Sequence, residues 1–282
     1  MLTEEQMIQR RAFVGASEVP CLLGISPHGD IFSTWAEKMG LVTREPNVAL
    51  DAGNYLEPAL ARWYADETGY TIGHFGTVVH PEHPFMGCTP DICVFGERRI
   101  AQIKVVGMWM AHHWDDDVPE YVVAQVQAEM EVTGADVCDV VALIGGTDFR
   151  IIPIERDREI GAYLVDICRD FVTRYVIPRE LPPVDGSAHA EAALKALYRR
   201  DTSGMLKATP EIDALAKAWL AADDDLGAAE ARRVECANKL KAILGDASGV
   251  EGDSYRVRWS TNKAGNRVFT VKPIALRKAR AA

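Results

Sequence analysis

Gly87-Cys-Thr-Pro-Asp91, followed after a turn by Ile100-Ala-Gln-Ile-Lys104, is the most informative stretch of this 282-residue chain. Asp91 opens a predicted strand, Asp91 to Phe95. Gln102 and Lys104 lie on the next, Arg99 to Val106, behind the turn at Gly96-Glu97. Side chains alternate along a strand, so Gln102 and Lys104 share a face. If the two strands pair as a hairpin, Asp91 converges on that face. An acid, a second oxygen donor and a lysine suit a hard-metal phosphodiesterase site. Mg²⁺ takes carboxylate, carbonyl and water oxygens. It acidifies a bound water and polarises a phosphate, while the lysine positions the water or balances transition-state charge. Alone the string is weak, because short strands with Asp and Lys are common.

The flanks read as mixed α/β. Helices are predicted over Phe32 to Met39, Gly53 to Thr68 (with Pro58 in its first turn), Val122 to Val132 and Ile160 to Tyr175. Thr77 to His80, Cys138 to Ile144 and Arg150 to Ile154 read as strands, the last two as a hairpin after Gly145-Gly146. Interleaved strands and helices imply a central sheet. The Pro-rich segment 177–187 is read as a boundary, giving a core over 1–180 and an extension over 187–282. In the extension, Ala190 to Tyr198 is predicted helical. Ile212 to Leu244 is expected to form a helical hairpin, because its apolar positions do not make an autonomous core. Ser254 to Trp259 and Arg267 to Val271 are expected to pair across the turn Asn262–Asn266. The basic end, Leu276-Arg-Lys-Ala-Arg, is expected to fray.

Composition narrows the class. The chain is 48% hydrophobic and 26% charged, as in globular proteins that build a core without disulfides. No apolar run is long enough to span a membrane, and MLTEEQMIQRR does not read as a secretory signal, so a cytoplasmic location with reduced thiols is expected. The six cysteines show no CxxC or zinc spacing and read as small buried hydrophobes. The formal charge is −10 but uneven: 14 Lys/Arg against 29 Asp/Glu up to Gly186, then 17 against 12. The sequence lacks GxxxxGK[ST], GxGxxG after a strand, and HExxH, and neither Ser17 nor Ser26 has a GxSxG context. His112-His113 before Asp115–Asp117 is read as a solvated loop, since adjacent side chains point apart.

An ordered set of segments resembles the YqaJ viral recombinase family, the phage lambda exonuclease group of the PD-(D/E)xK nucleases. Arg10-Arg-Ala-Phe-Val-Gly-Ala-Ser17-Glu-Val and Leu23-Gly-Ile-Ser26 resemble its N-terminal segment. Gly53-Asn-Tyr-Leu-Glu57 resembles its GxxxE helix start, and Thr89-Pro-Asp91 its [ST]-P-D motif. Gln102-Ile-Lys104 stands where the family has ExK. Ala124-Gln-Val-Gln127 with Met130-Glu-Val-Thr-Gly134 resembles its core helix, and Ile154-Glu-Arg-Asp157 the strand end beyond. The resemblance covers roughly residues 8 to 177.

What the resemblance implies is a restriction-endonuclease-like α/β core, a central mixed sheet flanked by helices, with a C-terminal helical and β-hairpin extension. It implies a Mg²⁺-dependent exonuclease, with Mn²⁺ able to substitute, that digests duplex DNA ends 5′→3′. The 3′ strand would pass to a single-strand annealing protein. Asp91, Gln102, the Ile103 carbonyl and Glu57 would hold metal, Lys104 would be the catalytic lysine, and Gln125 the supporting helix glutamine. Gln125 and Gln127 differ by about 200° around a helix, so only one of them faces the site. Arg10 and Ser17 would grip the 5′ phosphate, with Arg11 replacing Arg10 if the register slips. A trimer and a phage or prophage origin in a bacterial host follow from the same likeness. Gln102 departs from the family's Glu and offers a neutral oxygen. It is read as a natural variant that still binds metal, as a substitution introduced to stall turnover, or as the mark of a weakened nuclease kept for end binding. A structure-specific endonuclease is the remaining rival.

Overall fold

The computed structural model describes residues 12–42, 48–74 and 76–274. Arg10, Arg11 and the basic tail from Leu276 lie outside the described residues. In chain order the elements are β1 (Val14–Gly15), a 3₁₀ turn (Ala16–Glu18) running into α1 (Val19–Leu22), α2 (Ile31–Lys38), α3 (Val48–Thr68), β2 (Ile72–Gly73), β3 (Val78–Val79), β4 (Met86–Cys88), β5 (Ile92–Val94) and β6 (Arg99–Val106). After a 3₁₀ segment (Met108–Trp114) come α4 (Glu120–Thr133), β7 (Val137–Ile144), β8 (Asp148–Glu155) and α5 (Arg158–Phe171), which ends in a π turn (Val172–Val176). Then follow α6 (Ala188–Leu197), α7 (Pro210–Leu244), β9 (Gly249–Glu251), β10 (Tyr255–Thr261) and β11 (Arg267–Pro273).

The central sheet is mixed, in the order β2-β5-β6-β7-β8. β6 and β7 run parallel, joined by the α4 crossover, and the other pairs are antiparallel. A parallel pair needs such a crossover and is buried on both faces. The two strands accordingly read as near-continuous apolar runs. Even-numbered residues of β6 and β7 (Ile100, Val106, Cys138, Val140) pack under Val122, Val126 and Met130 of α4. Odd-numbered ones (Ala101, Ile103, Val141, Leu143) pack under Leu60, Ala61 and Tyr64 of α3. Each large side chain so buried contributes about 1.5–3 kcal/mol. Pro153, which has no amide hydrogen, is tolerated because β8 is an edge strand. α4 stops at Gly134, whose φ of 72° suits a residue without Cβ, and whose N–H closes on the Met130 carbonyl at 2.9 Å. A second, small sheet, β1-β4-β3, backs a third core formed by α1, α2, α5 and α6.

Three expectations change. α3 begins at Val48, so Pro58 lies inside the helix and leaves the Asn54 carbonyl without its helical donor. Residues Met1–Asp201 form one compact unit and Thr202–Ala282 another, so the division falls beyond the Pro-rich segment. The reason is α6. Ser187 caps it, accepting from the Ala190 N–H at 2.9 Å, and also donates to Asp30, the N-cap of α2. Ala190 and Ala193 then sit in the first unit's core. Finally, Pro210–Leu244 is one unbroken helix rather than a hairpin. Gly227 lies mid-helix with no Pro or turn sequence around it, and one glycine costs a helix only about 1 kcal/mol. In that second unit β9, β10 and β11 form an antiparallel sheet across the expected turn. Among the described residues no helix is long and apolar enough to cross a membrane.

Candidate active site

β5 pairs with β6 only at Ile92↔Ala101 and Cys93↔Ile100, so the ladder ends just where Gln102 begins. Pro90 biases Thr89 towards extended backbone and delivers Asp91 to the vacated edge. There Asp91 Oδ2 accepts the Ile103 N–H at 2.7 Å and the Gln102 side-chain amide at 2.5 Å. A strand residue's N–H and C=O point to the same edge, so the Ile103 carbonyl faces the Asp91 side as well. Gln102 Oε1 is buried and has no hydrogen-bond partner among the described residues. Native proteins rarely leave such an atom bare, at a cost of about 1–3 kcal/mol.

A cleft of about 430 Å³ opens over this edge. Ser17, Asn54, Glu57, His74, Thr89, Asp91, Gln102, Gln125 and Glu129 line it. Lys104 Nζ donates to Gln125 Oε1 at 2.7 Å, and Gln125 Nε2 donates to Glu129 Oε1 at 2.8 Å. Gln127 turns elsewhere: it donates to the Glu155 carbonyl and accepts from the Asp157 N–H, clamping the end of β8 to the start of α5. Of the two glutamines, Gln125 is therefore the one at the cleft. Ser17 is exposed at the cleft on its 3₁₀ turn. Asp91, Gln102, Glu57, Gln125 and Ser17 thus share one cleft, and Lys104 reaches it through Gln125.

Glu129, His74 and Asn54 were not singled out from sequence. Glu129 carried a readable signal, since it lies one turn after Gln125 on the same helix face. Asn54 likewise precedes Glu57 by three residues. His74 had none, because it sits in an irregular segment after a two-residue strand. Elsewhere, Trp35 is a core residue bonded to the Tyr175 carbonyl at 3.0 Å. Trp63 instead stays 40% exposed and stacks on Phe149. His112 and His113 are exposed, and five of the six cysteines are buried thiols.

Burial pushes the Asp91 carboxyl up to about 6; the Ile103 amide opposes this, Glu57 adds to the rise, and Lys104 and His74 pull it down. Burial lowers Lys104, opposed by Glu129 and Asp91. Cys138, pushed well up by burial, stays a neutral thiol. Asp91 therefore favours the folded state most when protonated. That contribution is full below about pH 4 and is lost as pH rises through about 6. In EDTA, Asp91→Asn is expected to gain stability over the parent by about 3 kcal/mol between pH 4 and 7. Denaturant midpoints across that range measure it; a constant difference would show that Asp91 titrates normally.

A central mixed sheet covered by helices is the fold that this chain shares with solved lambda-exonuclease-like structures. The alkaline exonuclease LHK-Exo from Laribacter hongkongensis shares it, with a TM-score of 0.53 and 24% identity over 70% of this chain and 97% of that one. The structure of LHK-Exo in complex with dAMP gives 0.54 and 23% over the same shares. Residues 7–136 match the family model of the YqaJ-like viral recombinase domain. That span holds every candidate site residue and ends just after α4. A relative along most of the chain is the uncharacterized protein YqaJ of Bacillus subtilis (strain 168), 26% identical over 279 residues, 96% of this chain and 87% of that protein.

Proposed function

We propose that the chain is a metal-dependent deoxyribonuclease that digests linear double-stranded DNA 5′→3′ and leaves 3′ single strands for recombination. The observation that carries this reading is the buried, unpartnered oxygen of Gln102 beside the Asp91 carboxylate. With the Ile103 carbonyl and Glu57 it makes an all-oxygen donor set, which fits Mg²⁺, with Mn²⁺ as substitute. Among the described residues no group of three His, Cys, Asp or Glu side chains forms a metal cage, so the set depends on the neutral amide and carbonyl oxygens. Bound there, the ion would supply an acidified water and a polarised phosphate.

The chain's own residues do the rest. Lys104 places a cation where negative charge grows on the phosphate. Gln125 holds its ammonium, and Glu129 holds Gln125. Ser17 offers a hydroxyl at the cleft, and Arg10 or Arg11 would add bidentate phosphate contacts at the 5′ end. Such contacts read no sequence, as digestion along any duplex requires. The 3′ product defines the partner class, a single-strand annealing protein. A trimeric ring and residence in the cytoplasm of a bacterial host, with phage or prophage origin, belong to the same proposal.

The test is a 5′-phosphorylated linear duplex labelled at each end. The 5′ label is released first, in Mg²⁺ and not in EDTA, while closed circular DNA stays intact. Cleavage of the circle would favour a structure-specific endonuclease instead. Gln102 also motivates a second reading, end binding by a weakened site, because a neutral oxygen holds a cation less well than a carboxylate. Gln102→Glu separates the two. On the nuclease reading it lowers the Mg²⁺ needed for half-maximal digestion by about tenfold, for roughly 1.4 kcal/mol of added ion binding. Tight end binding without digestion in both forms would establish the second.

A further inference from the structure

α7 spans 35 residues, about 52 Å, and none of them is buried. So long a helix without a core of its own signals a coiled coil. Its apolar residues step by alternating threes and fours: Ile212, Leu215, Trp219, Ala222, Leu226, and on through Ala229 to Ile243. The seam is a heptad repeat kept over the whole helix and broken only by Arg233. Leu215, Trp219 and Leu226 are each about 60% or more exposed. A helical hairpin would have covered this stripe internally; the unbroken helix does not. The sheet β9-β10-β11 covers only part of the last two turns, where Leu240 and Leu244 are half-buried and Lys241 lies over Phe269, and Ile243 stays 81% exposed.

We propose that α7 pairs antiparallel with α7 of a second copy of this chain. The seam is palindromic. When residues whose numbers add to 455 are set level, every seam position meets another seam position. Leu215 meets Leu240, Trp219 meets Cys236, and Leu226 meets Ala229. Arg233, the one charged seam residue, meets Ala222, the small side chain that leaves it room to reach solvent. The flanking charges give one favourable contact. Antiparallel pairing sets Asp225 beside the second copy's Arg232, and it sets Asp223 beside Glu230. Parallel pairing would set Asp225 beside Glu230, with no Asp225–Arg232 contact, and would stack Arg233 on Arg233 within the seam. Like charges at such a seam position select against that register. This pairing is independent of the nuclease reading and of any contact between cores.

Cysteine cross-linking of the full chain tests it, because Cys236 is the exposed thiol among the described residues. In the antiparallel pair two Cys236 residues lie about 26 Å apart along the axis, so the unaltered chain does not cross-link through them under mild oxidation. Trp219→Cys places a thiol opposite Cys236 and gives a disulfide dimer on a denaturing, non-reducing gel; adding Cys236→Ser removes it. Should Trp219→Cys disturb folding, Ala222→Cys with Arg233→Cys in a Cys236→Ser background reports the same register. Leu226→Asp, which sets an unpaired charge in the seam, cuts cross-linked yield at least about tenfold. Dimers formed by the unaltered chain through Cys236 would show parallel pairing. No cross-link from either cysteine design, in protein that retains its helix content, would show that α7 does not self-associate. Either result overturns the proposal.

Discussion

Lys104→Ala is expected to cut metal-dependent digestion of linear duplex by about 10²–10³-fold, the scale on which removing one charge-stabilising donor acts. Lys104 is held by a relay rather than by a direct ion pair: its ammonium donates to Gln125, which in turn donates to Glu129. The relay fixes the position of the ammonium, with Glu129 and Asp91 near enough to act on its charge. Lys104→Ala removes the charge and leaves Gln125 Oε1 free to reorient, so end binding through phosphate contacts survives. Lys104→Arg keeps the charge but presents a planar fork in place of a compact ammonium, and recovers only a minor part of the rate. Single-turnover digestion beside a binding measurement on the same duplex reads both quantities. Loss of binding in parallel with digestion would make Lys104 a binding residue. An unchanged rate would remove it from the chemistry.

Asp139→Ala is expected to lower stability by about 3–5 kcal/mol, the cost of removing one partner from a buried ion pair. Asp139 is buried on the α3 side of β7, where it accepts from Tyr64 Oη and from Arg99 Nη1, both at 2.6 Å. Tyr64 is fully buried, and burial together with the Asp139 bond raises its hydroxyl, so it remains a donor. Without the carboxylate both donors lose their acceptor, and Arg99 is left with Glu97 at 3.4 Å. Tyr64→Phe removes one hydrogen bond and no volume, and is expected to cost about 1 kcal/mol. Urea midpoints at pH 7 measure the two. Equal losses would show that the hydroxyl, rather than the ion pair, supports the contact. Because Tyr64 lies seven residues after Glu57 on α3, the stronger loss is expected to reach the cleft as well.

Strong periodicity made much of this molecule legible in the residues alone. β6, β7 and α4 carry buried apolar runs or a clean i, i+4, i+8 stripe, and their bounds fall within two residues of the reading. Asp91, Gln102 and Lys104 were legible for the same reason, since strand alternation and one turn determine their faces. The boundary after residue 180 was not: the contact between Ser187 and Asp30 joins residues far apart in sequence, and no local composition announces it. Neither was the choice between Gln125 and Gln127, because a helix pattern says that they diverge and not which one meets Lys104. The five-residue shift in the start of α3, which moved Pro58 from first turn to interior, arose where periodicity is weak. Local chemistry thus specified the elements and the donor types. Long-range packing, which the chain cannot express in short windows, chose which donors share a cleft, left the Gln102 oxygen bare within it, and opened the α7 seam to a partner.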